Sequence, residues 1–211
     1  MARPIIGRFP RSLDALRHRF FRRYWLAQLA SVVGSWMQIT AQSWLVFDLI
    51  PDPTEAALKF GYVGAIQFAP TLALGLFAGV VIDARSRKQI LLTTQSALAL
   101  SAASMAVLTL TGSLTYGWLL VLAAFNGVAG TFDTPARQSL IPDLVPRDDV
   151  RNAVALNSLS FNLARLLGPV VAAGAIGLFG HLLGGGPLLR YGPAFAINAT
   201  SYLARVSWLS G

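Results

Sequence analysis

Six apolar runs alternate with short polar connections along the chain, roughly over residues 24–50, 60–82, 89–111, 116–135, 150–180 and 191–209. A helix needs about 20 mostly apolar residues to cross a bilayer. The pattern therefore predicts an all-α membrane protein with six transmembrane helices, spans 1 to 6, behind a basic segment over residues 1–23. Span 5 is longer than a bilayer core requires, so its first turns, with Arg151 and Asn152, are expected at the interface.

Polar residues inside the spans are periodic. In span 1, Gln28, Ser31, Ser35, Gln38 and Gln42 step by 3, 4, 3 and 4, which puts them on one helical face. Gly64, Gln67, Thr71, Gly75 and Ala78 do the same in span 2, and Asn126, Gly130, Asp133 and Arg137 in span 4. Lipid rejects such faces, so they line a cavity or meet other helices. Span 1 reads as a cavity wall, because three glutamines exceed what packing needs. Span 2, with Gly75 and Gly79 one turn apart, reads as a close helix contact.

Composition agrees. Of 211 residues, 55% are hydrophobic and 12% charged, about half the charge of a soluble domain, and the mean hydropathy is +0.57. With no cysteine, disulfides and thiolate chemistry are excluded. The net charge of +8 matters through its placement. Seven arginines precede span 1: Arg3, Arg8, Arg11, Arg17, Arg19, Arg22 and Arg23. Arg85, Arg87 and Lys88 follow span 2, and Arg137, Arg147 and Arg151 join spans 4 and 5. The opposite connections hold only Lys59 and Arg190. Positive charge stays inside, so the charge pattern predicts a multi-pass cell-membrane protein with both termini cytoplasmic. The first run is too long, and too interrupted by Trp36 and Trp44, for a cleaved signal peptide.

Charges within the membrane are costly and usually face a cavity or a partner. Arg165 lies about 15 residues, or about 22 Å, along its helix, just before Gly168 and Pro169, a packing or bending point. Three roles are open to it: holding an anionic substrate, depressing the pKa of a nearby carboxylate, or snorkelling to headgroups. Asp48 and Asp133 are the carboxylates within spans, both near ends. Asp133 and Arg137 are one turn apart and can pair.

Gly79-Val80-Val81-Ile82-Asp83-Ala84-Arg85-Ser86-Arg87-Lys88 resembles the loop after span 2 of the major facilitator superfamily. Gly79, Asp83, Arg87 and Lys88 fall on matching positions. Ala84 stands where the family has Arg, Ser86 where it has Gly, and Arg85 is displaced by one step. Ala164-x-x-x-Gly168-Pro169-x-x-Ala172-Ala173 resembles the Gly-Pro motif of the family's proton-coupled exporters. The segment from Asp133 to Pro146 and the triplet Asn157-Ser158-Leu159 are similar to the enterobactin-exporter and macrolide-efflux branch.

The resemblance runs from Tyr24 to Leu209 and implies the N-terminal half of a twelve-helix transporter, whose substrate binds between halves that rock against each other. It implies a conformational latch in Gly79, Asp83, Arg85, Arg87 and Lys88, with Asp83 closing against a C-terminal half. It also implies an acid near the end of span 4 as partner of Arg87, for which Asp133 is the candidate; pairing of Asp133 with Arg137 is the other reading. The expected activity is small-molecule efflux by proton exchange. The expected cavity is formed by Gln38, Gln42 and Asn126 with Arg165 beside it, and completed by a missing C-terminal half as a separate chain or second copy. The alternative is a truncated remnant or accessory subunit without transport of its own.

Other chemistry finds no support. Nucleophile-elbow, HExxH and paired-acid motifs are absent, His18 and His181 are isolated, and the Gly184-Gly185-Gly186-Pro187 loop lacks the Lys-Ser of a phosphate cradle. No enzyme activity, cofactor, metal or nucleic acid is expected. The arginine-rich start is suited to the lipid bilayer surface.

Overall fold

The apolar runs become helices in a computed structural model that describes residues 11–183 and 188–210. Arg3, Arg8 and the glycine loop at 184–187 lie outside the described residues. The six long helices are α1 (Arg19–Leu49), α2 (Pro53–Ala84), α3 (Arg87–Leu110), α4 (Tyr116–Leu140), α5 (Val150–Leu183) and α6 (Gly192–Ser210). Short 3-10 turns lead into α1, α5 and α6 and follow α4, and no strand occurs among the described residues.

Several helices outrun the apolar segments that announce them. The apolar run of span 2 begins at residue 60, but α2 starts at Pro53, where Asp52 caps it by accepting from the Glu55 amide at 2.7 Å. Pro135 ends the apolar run of span 4, yet α4 continues to Leu140. A proline removes one backbone donor without obliging the helix to stop when its neighbours hold it. Pro70 and Pro169 are likewise inside α2 and α5.

The helices follow one another around the bundle in the order α5, α1, α6, α3, α4, α2, and a lighter contact joins α1 to α2. An apolar core at the end away from the termini gathers Met37, Leu45, Met105, Leu119 and Phe195. A second core sits at the end that holds the termini, around Phe21, Tyr24, Ile141 and Leu156. The Tyr24 and Trp208 rings meet there at 5.4 Å and tie the start of α1 to the end of α6.

Close approach shapes the α1–α5 contact. A Cβ on Gly168 would collide with Trp36 Cβ and lie 2.9 Å from the Trp36 carbonyl carbon. Only glycine lets the two backbones come this near. Gly75 and Gly79 have nothing within 4 Å of an added Cβ, so these two glycines make no close helix contact inside this chain, whereas Ala78 of the same face is buried and Thr71 meets Thr131 of α4 at 3.1 Å.

Four helices among the described residues are long and apolar enough to cross a membrane: α2, α3, α4 with the turn after it, and α5 with the turn before it. In α1 and α6 the polar stripes lower the hydropathy. The most apolar of the four, α2, is also the least covered, with 11% of its apolar stretch buried. Leu72, Leu76, Phe77 and Val80 stand outward on it, as do Leu166, Val170 and Leu178 on α5.

Candidate functional site

Between the two apolar cores lies a cavity of about 250 Å³. α1 supplies Ser35, Gln38 and Gln42; α4 supplies Asn126, Gly130, Asp133 and Arg137. The stripes of spans 1 and 4 thus share one space. Gln67 of α2, Gln95 of α3, Phe161 of α5, and Tyr202 and Arg205 of α6 complete the wall. A polar pocket inside an apolar bundle is costly unless its groups find partners, and most do. Asn198 donates to Gln38 Oε1 at 2.6 Å, and the Tyr202 and Ser35 hydroxyls are 2.8 Å apart. Gln28, further along the α1 stripe, donates to Asn157 Oδ1 of α5.

Asp133 is the centre of the charged part. Its Oδ1 accepts from Thr94 Oγ1 at 3.0 Å and from Gln95 Nε2 at 2.5 Å. Its Oδ2 lies 3.5 Å from Arg137 Nη2. The Arg137 guanidinium sits over the Phe161 ring, 4.9 Å from its centre. Both charges are almost fully buried. Of the two pairings open to Asp133, the structure contains the one with Arg137 and not the one with Arg87.

Arg87 has another partner. Its Nη1 contacts Asp143 Oδ2 at 2.6 Å. Asp143 is carried on the 3-10 turn Ile141–Leu144, which the extra turns of α4 bring beside the α2–α3 connection. Asp83, Arg85, Lys88 and Gly79 are exposed around this point. Asp83 makes no ion pair among the described residues and lies in the last turn of α2, so it does not cap α3; the N-cap of α3 is Ser86.

Arg165 does not line the cavity. It is exposed, with its guanidinium 5.7 Å from the centre of the Trp36 ring. Trp36 is itself a lining residue. Pro169 lacks the amide that would bond the Arg165 carbonyl one turn earlier, so the charge and the weakened helix turn coincide on the outer face of α5.

The buried cation that sequence reasoning passed over is Arg205, 2% exposed. It belongs to a stripe in α6, Asn198, Tyr202 and Arg205, with steps of 4 and 3 as in spans 1 and 4. That periodicity was available as a signal. Arg205 falls within span 6, but Arg165 was the charge singled out as lying well inside a span. At the other end of the bundle Asp48 has two partners. It accepts from Arg190 Nη2 and from the Tyr191 hydroxyl, each at 2.5 Å. The Asp48 bond holds the Arg190 guanidinium above its ordinary pKa. The described residues contain no cluster of metal-ligating side chains.

Comparison with known proteins places this geometry in a family. The chain is 27% identical over 141 residues to the staphyloferrin A transporter of Staphylococcus aureus, covering 66% of this chain and 34% of that protein. It is 22% identical to macrolide efflux protein A of Streptococcus pyogenes, covering 72% and 37%. It is 29% identical to the multidrug efflux pump Tap of Mycolicibacterium fortuitum, covering 74% and 38%. No solved structure matches the chain significantly. The aligned part spans about a third of the length of these curated relatives. A family model described as transmembrane secretion effector matches residues 11–210. The chain belongs to the transmembrane secretion effector family of the major facilitator superfamily.

Proposed function

We propose that this chain is the N-terminal, six-span half of a small-molecule exporter in the cell membrane, with both termini cytoplasmic. The observation that carries the reading is the cavity: polar side chains from five helices, with Phe161 of the sixth, converge on one space inside a bundle whose outside is apolar. Packing alone does not require Gln38, Gln42, Gln67, Gln95 and Asn126 to meet. A translocation path does, because a polar solute needs partners where lipid has none.

The substrate cavity includes Gln38, Gln42 and Asn126. The second half covers α2, whose apolar face and open Gly75–Gly79 edge lack a neighbour in this chain. The names of two relatives, macrolide efflux protein A and the multidrug efflux pump Tap, support export as the direction. Asp83 closes against the second half, while Arg87 and Asp143 hold the loop in place. Protons drive exchange, with Asp133 the carboxylate nearest the cavity. Gly168 and Pro169 give the α1–α5 pair its close contact.

The test is efflux of a dye and antibiotic panel from cells expressing the chain alone, and again with a second half supplied as a separate chain. Efflux only with both halves is the expected result. No efflux in either case, with the chain verified in the membrane, assigns it as a remnant or accessory subunit.

A further inference from the structure

The cavity wall carries an unbalanced charge. Its charged residues are Asp133, Arg137 and Arg205, two cations against one carboxylate. Both arginines are over nine-tenths buried. Arg137 has its ion pair with Asp133. Arg205 has no ion pair or side-chain hydrogen bond among the described residues, and its Nη2 is buried without a partner. The Nε of Arg137 and the Nε2 of Gln42 are also buried without one. Three donors from three helices are thus unmatched around one space. An arginine stays charged in a protein, and a buried uncompensated charge is among the costliest features a fold can hold. The cavity is the adjoining space that a counter-charge can enter.

We infer that the Arg137–Arg205 end of the cavity is a binding site for the carboxylate or comparable anionic group of a small organic substrate. Two guanidinium forks match a planar carboxylate in geometry as well as sign. Asp133, held by Thr94 and Gln95, neutralises one cation and leaves one for the ligand. The apolar side of the same wall, Val32, Ile39, Leu98 and Phe161, suits the hydrocarbon part of an amphiphilic anion. This inference deepens the exporter reading by naming the substrate class, and it rests on that reading.

The probes are benzoate, benzamide and benzamidinium, three molecules of nearly one shape with charges of −1, 0 and +1. Each is titrated by calorimetry into the full chain in nanodiscs of zwitterionic phosphatidylcholine. Benzoate is expected to bind and the other two to bind at least about tenfold more weakly, the scale of one charge-assisted hydrogen bond. Arg205→Gln is expected to weaken benzoate by about tenfold or more. Asp133→Asn keeps an acceptor for Thr94 and Gln95 while removing the opposing charge, so it is expected to tighten benzoate. A purely structural role for the cluster predicts loosening or no change. If Arg205→Gln does not fold, the Asp133→Asn result still decides.

Equal binding of the three probes, or preference for benzamidinium, overturns the inference. So does loss of benzoate binding in phosphatidylglycerol nanodiscs, which assigns the site to a lipid headgroup. Displacement of benzoate by the second half, without transport of anions, gives the counter-charge to a carboxylate of that half and also overturns it. Efflux of neutral or cationic compounds with no benzoate preference breaks this inference alone. Benzoate preference without efflux breaks the exporter reading alone.

Discussion

At the scale of single residues, the energetics are governed by what a group meets, not by its residue type. Gly168 and Gly75 show this. Both sit in small-residue motifs of apolar helices. A methyl group at Gly168 strikes the Trp36 backbone and side chain, and one at Gly75 meets open space. Gly168→Ala is therefore expected to destabilise the chain by about 1–3 kcal/mol, the usual cost of overpacking. Gly75→Ala is expected to stay within about 0.5 kcal/mol, as for a substitution touching nothing. Denaturant titration of both variants in micelles, followed by far-UV circular dichroism, measures the contrast; equal effects would contradict the packing. The Asn198–Gln38 bond offers a second measurement. It is short, buried and links α6 to α1. Asn198→Ala is expected to cost about 0.6–1.7 kcal/mol, the range for hydrogen bonds between membrane helices.

Among the helices, the Arg87–Asp143 pair joins the α2–α3 connection to the turn after α4. Both side chains are about half exposed, so solvent screens the pair. A double-mutant cycle with Arg87→Ala and Asp143→Ala is expected to give a coupling of about 0.2–1 kcal/mol in the stability of the isolated chain. A much larger coupling would mean the pair is buried by something the six helices do not provide. This contact also marks the limit of what the sequence could tell. The stripes of α1 and α4 were legible because helical periodicity is local: five residues at steps of 3 and 4 must share a face. The partner of Arg87 was not legible. It depends on α4 running through Pro135 and on a 3-10 turn folding Asp143 back, both set by tertiary contacts. Arg205 lies between these cases. Its stripe with Asn198 and Tyr202 was periodic, but burial at a helix end depends on what packs over it, here the α3 and α4 side of the cavity.

For the whole molecule, the question is which end of the bundle faces the cytoplasm and how many helices cross. Among the described residues, four helices have the apolarity to cross by composition alone. In the proposed six-span arrangement α1 and α6 cross by turning their polar stripes into the cavity, where Gln38 meets Asn198 and Ser35 meets Tyr202. Their outer faces are left apolar, as Leu26, Phe47, Ile197 and Leu203 show. A helix that hides its polar face against partners crosses as part of a bundle even when its sequence average falls short. With six crossings, Ser86 and Arg147 lie at one face, and Asp52 and Ser113 at the other. Basic residues cluster at the first face, which is the cytoplasmic one in the proposed topology. The native chain has no cysteine, so single-cysteine variants can be labelled without background. Ser86→Cys and Arg147→Cys are expected to react with a membrane-impermeant maleimide only after permeabilisation. Asp52→Cys and Ser113→Cys are expected to react in intact cells. Four crossings would break this alternation: if α1 and α6 stayed on the cytoplasmic surface, the labelling of at least one pair would reverse. The cavity, which needs residues from α1 and α6 at the depth of Asp133 and Asn126, would then have no place inside the membrane.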